Sequence, residues 1–136
     1  MKIAALENIL RLRGEIDKCT ENETELRSAA ERTTMLLSGL PLATPSDYSR
    51  VEQYTLAILQ TQETKQRLEL ELIAAKVEFS EFITRAIENK YIRQVIRKRY
   101  FEGKSWRVIS AEMDYSTRQL LRFNREGLRL LAALKS

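Results

Sequence analysis

A chain of 136 residues is sized for one ordinary domain or two small cooperating units. Two prolines, four glycines and 31% charged residues, set in a 3.6-residue apolar rhythm, predict an all-α protein, and no segment alternates long enough to be a strand. The lack of histidine removes the commonest general base and metal ligand, and the single Cys19 supplies neither an intrachain disulfide nor a thiolate zinc site, so no catalytic residue, metal or cofactor is expected.

The first segment, MKIAALENILRLRGE, carries charges through its apolar stretch, and no apolar run of about 18 residues occurs anywhere. Neither a signal peptide nor a membrane span is predicted, which points to a cytoplasmic protein. Ala5, Ile9, Leu12, Ile16, Cys19, Glu23, Leu26, Ala30, Thr33 and Leu37 alternate four and three apart, a heptad seam with a polar middle. Gly14 and the Thr-, Asn- and Glu-rich run from Cys19 to Glu25 weaken that middle, so a kink or restart is expected near Asn22. Ser38 to Pro41, with the sequence SGLP, should end the helix.

A second helix should start after Pro45, with Ser49 and Glu52 spaced as a capping box and Ser46 or Asp47 as a start one turn earlier. Val51, Tyr54, Ile58, Thr61, Lys65, Leu68, Leu72, Ala75, Phe79, Phe82 and Ala86 then hold a heptad register without a breaker. That length predicts one helix of about 40 residues, near 60 Å. Such a helix cannot bury its stripe alone; it must pack on the first helix, on a second copy of the chain, or on both. Residues 1–84 are therefore expected to be a coiled-coil-like helical hairpin that also serves oligomerisation, with a homodimer as the expected state.

Residues 85–136 have a different character. They hold 13 Lys and Arg against 5 Asp and Glu, or +8, whereas the first 84 residues hold 10 against 14, or −4, which together give the net +4 of the chain. A helix from Tyr91 to Phe101 should turn Ile92, Val95, Ile96 and Tyr100 inward and Arg93, Arg97 and Lys98 outward, with Arg99 inward and paired to an acid such as Glu112. Gly103 breaks it, and Ser105 can accept from the amides of Arg107 or Val108 to start the next helix. Trp106, at that start, is expected in the core with its indole N–H near the surface.

The run from Tyr100 to Leu134 fits the spacing of a helix-turn-helix. Two short helices meet at a steep angle only if a small residue lies at the closest approach, apolar side chains fill the corner and the turn accepts a left-handed backbone. Ser110 is the small residue, Ile109 and Met113 flank it, Asp114 stands where positive φ is needed, Tyr115 plugs the corner, and Ser116 caps the second helix. On that second helix Leu120, Phe123, Gly127, Leu130, Leu131 and Leu134 fall on one side. Arg118, Arg122, Arg125 and Arg129 fall within an arc of about 60° on the other. A basic ladder on the outward helix of such a motif suits a polyanion, because neutralised phosphates release condensed counterions.

The segment RKRYFEGKSWRVISAEMDYSTRQLLRFNREGLRLL resembles region 4 of the bacterial sigma-70 class. GKSW followed by MDYS, after a long helical half and an SGLP loop, resembles the small phage and prophage regulators of the ArpU and RinA type. The sigma-like part covers about the last 45 residues; the wider likeness outside GKSW and the turn rests on helical pattern. Two positions depart from region 4. Asp114 replaces the usual turn glycine, and Gly127 stands where a helix-favouring alanine is usual, which should loosen the helix by about 1 kcal/mol.

The resemblance implies a sequence-specific, double-stranded-DNA-binding regulator of phage or prophage transcription in a bacterial host cytoplasm, with residues 85–136 as the DNA-binding region. Thr117, Arg118 and Arg122, with Gln119 at the margin, are the expected base-edge contacts, since Arg on guanine and Gln on adenine have matching bidentate geometry. Lys104, Arg107, Arg125 and Arg129 are the expected phosphate contacts. Two rivals keep the motif and change its job: a phage small-terminase-like DNA-recognition subunit, told apart by rings of many chains, and a sigma-like module that binds bacterial RNA polymerase.

Overall fold

The computed structural model describes residues 3–39 and 44–134, and all of its regular structure is helical. In order it runs α1 (Ala4–Ser38), α2 (Pro45–Ala86), α3 (Lys90–Ile96) continued by a π-helical turn (Arg97–Phe101), α4 (Trp106–Met113) and α5 (Thr117–Ala133). Leu40 and Pro41 of the SGLP stop lie outside the described residues. Two compact units divide the chain: Arg11–Leu72, and Met1–Leu10 together with Ile73–Ser136. The unit that contains the helix-turn-helix thus begins on α2 at Ile73 and takes in the first ten residues.

The Arg11–Leu72 unit is an antiparallel pairing of α1 with α2. Cys19, Asn22 and Leu26 of α1 and Ala57, Thr61 and Thr64 of α2 line one groove between them. The expected break near Asn22 does not occur: α1 is one helix of 35 residues. Its polar middle survives for two reasons. Thr20 and Thr24 donate their hydroxyls to the carbonyls of Ile16 and Thr20 at 3.1 and 3.0 Å, which leaves the main-chain ladder intact. Across the seam, the Asn22 amide donates to the Thr61 hydroxyl at 3.3 Å and the Gln62 amide to the Glu23 carboxylate at 2.8 Å. These bonds, first from Gln62 and then from Arg27, hold the Glu23 carboxyl below the usual carboxylate range.

The start of α2 also differs from expectation. The reciprocal pair is Thr44 with Asp47, not Ser49 with Glu52: the Thr44 N–H donates to the Asp47 carboxylate at 2.9 Å, and the Asp47 N–H donates to the Thr44 hydroxyl at 3.4 Å. Pro45 sits at the first helical position, where its missing N–H costs nothing and its fixed φ fits. From there α2 continues for 42 residues.

The other unit is cored by Ile9, Phe79, Phe82, Ile83, Ile87, Val95, Ile96, Ile109, Leu120 and Leu131, and no polar side chain is buried among the described residues. Asn89 opens α3 by accepting the amides of Tyr91 and Ile92 at 2.8 and 3.3 Å. The helix expected from Tyr91 to Phe101 changes pitch after Ile96, where the Glu102 N–H reaches back five residues to the Arg97 carbonyl at 3.1 Å. That wider turn directs the Tyr100 hydroxyl to the side-chain amide oxygen Oδ1 of Asn124 at 3.1 Å and sets the Phe101 ring edge-on to Phe79, with centroids 5.5 Å apart. Gly103, at φ 67°, then reverses the chain.

Gly127 has a packing reason. A Cβ placed there would stand 2.8 Å from both Cγ1 and Cδ1 of Ile96 and 3.0 Å from Cγ2 of Ile92. The glycine does not simply loosen α5; it lets α3 lie directly against it. An alanine at this backbone separation would collide with α3.

Candidate nucleic-acid interface

The turn between α4 and α5 is built as its residue types dictate. Ser105 caps α4 by accepting the Val108 N–H at 3.3 Å. Asp114 takes the left-handed conformation, φ 59° and ψ 38°, and passes its N–H to the Ser110 carbonyl at 3.0 Å. The Ser110 hydroxyl crosses the corner to the Tyr115 carbonyl at 2.5 Å, so the small residue both permits the close approach and satisfies a turn acceptor. Ser116 then accepts the Gln119 N–H at 3.2 Å to cap α5. Behind the turn, Val95, Ile109 and Leu120 are fully buried, with Trp106, Met113, Tyr115 and Phe123 packed around them. Tyr115 meets the Phe123 ring edge-on at 5.3 Å and the Tyr91 ring at 6.0 Å.

This packing decides which face of α5 is free. Leu120, Gly127 and Leu131 are buried, Phe123 and Leu130 are half-buried, and Arg118, Arg122, Arg125 and Arg129 are all exposed. Thr117 is exposed beside the cap, whereas Gln119 is half-buried. The four guanidiniums are not equivalent. Arg129 is forked onto Glu126, Nε to Oε2 at 3.0 Å and Nη2 to Oε1 at 2.5 Å, which holds the Glu126 carboxyl below its usual range and raises the guanidinium. Arg118, Arg122 and Arg125 make no hydrogen bond or ion pair among the described residues, and neither does the exposed Arg107 on α4.

Several basic residues expected on the outer surface are engaged inside the unit. Lys104 donates to both Glu112 oxygens at 2.7 and 2.9 Å and lies 3.3 Å from Glu102, while Lys98 donates to Glu112 at 2.6 Å. Glu112, bonded first by Lys104 and then by Lys98, is held below the usual carboxylate range, and Lys104 is raised in turn. Arg97, expected outward, donates to the hydroxyls of Ser80 and Thr84 on α2 at 3.4 and 3.1 Å. Arg99 does not pair with Glu112: it donates to the Lys104 carbonyl at 3.0 Å and lies over the Trp106 ring, 4.9 Å from its centroid. Its expected inward position holds and its expected acid does not, because two lysines occupy that acid.

Of the carboxylates that sort these cations, Glu126 escaped the sequence reading, and Glu112 was expected on Arg99 and not on the two lysines. Glu126 lies three residues before Arg129, a helical spacing that signals a pair. Glu112 is closed off by residues 98 and 104, joined only through the π turn and Gly103, and no local spacing signals that. What remains on the capped half of α5 is three planar donor forks on one helix face, without acids of their own. Such forks match phosphate oxygens or the O6/N7 edge of guanine bidentately.

Comparison with protein-family models, curated proteins and solved structures finds no match to this chain. Among the described residues, no helix is long and apolar enough to cross a membrane.

Proposed function

We propose that the chain is a sequence-specific, double-stranded-DNA-binding regulator of transcription whose α5 enters the major groove. The observation that carries this reading is the set Arg118, Arg122 and Arg125: exposed, unengaged among the described residues, and aligned on the outer face of a helix whose opposite face is core. Arg129, on the same face, is committed to Glu126 and stands apart from the set. Thr117, Arg118 and Arg122, in the first two turns, are assigned to base edges, and Arg125 and Arg107 to phosphates. Lys104 and Arg129 join them only by giving up Glu112 and Glu126. The likeness of GKSW and MDYS to phage and prophage regulators supplies the proposed setting, promoters in a bacterial cell.

Titration of the full chain against labelled duplex DNA across a salt series tests the reading. The two guanidiniums assigned to phosphates, Arg125 and Arg107, at about 0.9 each give a slope of log K on log salt of roughly −1.8 per chain. The variant carrying Arg118→Ala, Arg122→Ala and Arg125→Ala should retain a slope of about −1. A triple variant that binds duplex as tightly and as steeply as the native chain would overturn the assignment.

A further inference from the structure

α2 carries a second apolar stripe in addition to the one that faces α1. Leu56, Leu59, Leu70, Ile73 and Val77 are each 50% to 64% exposed, although they follow one another at heptad spacing with Glu63 and Gln66 in the two central positions. On an ideal helix this stripe lies roughly 150° around from the Tyr54, Ile58, Thr61, Lys65 and Leu68 seam. Single exposed leucines are ordinary, but a heptad row of them is the pattern of a helix with a missing partner. Glu63, Gln66 and Arg67 are exposed and make no hydrogen bond or ion pair among the described residues.

We infer that the missing partner is α2 of a second copy, packed antiparallel about a two-fold axis between Thr64 and Lys65. The six positions from Leu56 to Ile73 are symmetric about that point, with leucine or isoleucine at both ends and polar residues in the middle. Antiparallel pairing sets Leu56 of one copy level with Ile73 of the other, and Leu59 level with Leu70. The central layers become Glu63 against Gln66, with Arg67 of the second copy beside the Glu63 carboxylate. The amide and guanidinium both donate to that carboxylate, twice over by symmetry. At the ends, Glu52 of one copy comes level with Val77 of the other, with Lys76 of that copy beside its carboxylate.

The polar layer also chooses orientation and register. A parallel pair would stack Glu63 on Glu63 inside the interface, two like charges with no donor between them. Sliding the antiparallel pair by one heptad in either direction sets Glu63 and Gln66 against leucine or isoleucine, leaving their polar groups unmatched. Only the register described matches all six layers from Leu56 to Ile73. The inference concerns α2 alone and does not depend on the DNA reading, so loss of DNA binding leaves its test unaffected.

Sedimentation of the full chain and cysteine cross-linking test it together. In a Cys19→Ser background, a chain carrying both Leu59→Cys and Leu70→Cys should form a covalent dimer under mild oxidation, whereas either cysteine alone should not. Within one chain these positions lie about 16 Å apart along the helix, beyond the roughly 7 Å Cα reach of a disulfide. The native chain should sediment as a dimer at tens of micromolar. Leu59→Glu with Leu70→Glu, both at exposed sites, should keep native helicity and weaken dimerisation at least about a hundredfold, at tenfold per 1.4 kcal/mol. A native monomer at 100 μM (about that ceiling being well above a useful dimer constant), efficient cross-linking of either single-cysteine chain, or a larger ring would each overturn the inference.

Discussion

Glu126→Gln should make the protein a tighter DNA binder. In the free chain the Glu126 carboxylate takes both prongs of the Arg129 fork, so this guanidinium meets a phosphate only by breaking an ion pair. Replacing the carboxylate with an amide removes one negative charge from the binding face and frees one cation for it. Gln and Glu have similar helix propensities, so α5 should keep its structure. One additional phosphate contact steepens the slope of log K on log salt by about 0.9, and at 0.1 M salt it multiplies K by about 10^0.9, roughly eightfold. Anisotropy titrations on one duplex at four or five salt concentrations read both quantities.

The control is the double variant Glu126→Gln with Arg129→Ala, which should return the slope to the native value. Arg129→Ala alone should weaken binding by leaving Glu126 uncompensated near the phosphates, with little change of slope, because Arg129 contributes few contacts while it is paired. If Glu126→Gln tightened binding with no change of slope, the gain would be relief of repulsion only, and Arg129 would not reach the backbone. If it weakened binding, the face of α5 assigned here to DNA would be the wrong one.

Gly127→Ala sets helix propensity against packing: alanine gains about 1 kcal/mol in an isolated helix, but its Cβ would stand 2.8 Å from two Ile96 carbons. Overpacking costs typically about 1 to 3 kcal/mol, so a lower Tm is expected by thermal melting, and a rise would mean that Ile96 repacks freely. The Glu112 pair with Lys98 and Lys104 should show in acid. Its carboxyl is held below the usual range, so the stabilisation is fully present above the ordinary carboxylate pKa and is lost as pH falls through the folded value. Glu112→Gln should therefore lower Tm at pH 7, with the gap from the native chain closing as pH falls below the ordinary carboxylate range; a gap that stays constant would show that the charge of Glu112 is not what matters.

The turn is legible in the sequence because each of its parts is local. Ser105, Asp114 and Ser116 act on backbone groups three or four residues away, and their chemistry leaves few other places for them. The two seams are legible for a similar reason, since burial repeats with the helical period: every seam position from Ala5 to Leu37 and from Val51 to Ala86 is buried or half-buried. Thr44 was also within reach, as Thr-Pro-Ser-Asp is a capping box with proline at its first helical position. The continuity of α1 was not, because the groups that satisfy its polar middle, Thr61 and Gln62, lie 39 residues away.

Long charged side chains are the least legible part, and the candidate site consists of them. A lysine or arginine reaches far enough to choose among several acceptors, and the choice depends on tertiary neighbours that the helical wheel does not contain. Arg97, Lys98, Arg99, Lys104 and Arg129 all carry the same formal charge in the sequence, yet in the structure each is committed to a hydroxyl, a carbonyl, a ring or a carboxylate. The consequence is functional. Glu112 and Glu126 hold the cations around the π turn and on the later part of α5, so the unengaged positive charge of that helix is left on Arg118, Arg122 and Arg125. A face charged along its whole length would hold any phosphate backbone about equally well. On the proposed reading, confining the free forks to the capped half of the helix would put the attraction where side chains come closest to base edges, with Arg118 and Arg122 to distinguish one sequence from another and Arg125 to hold a phosphate.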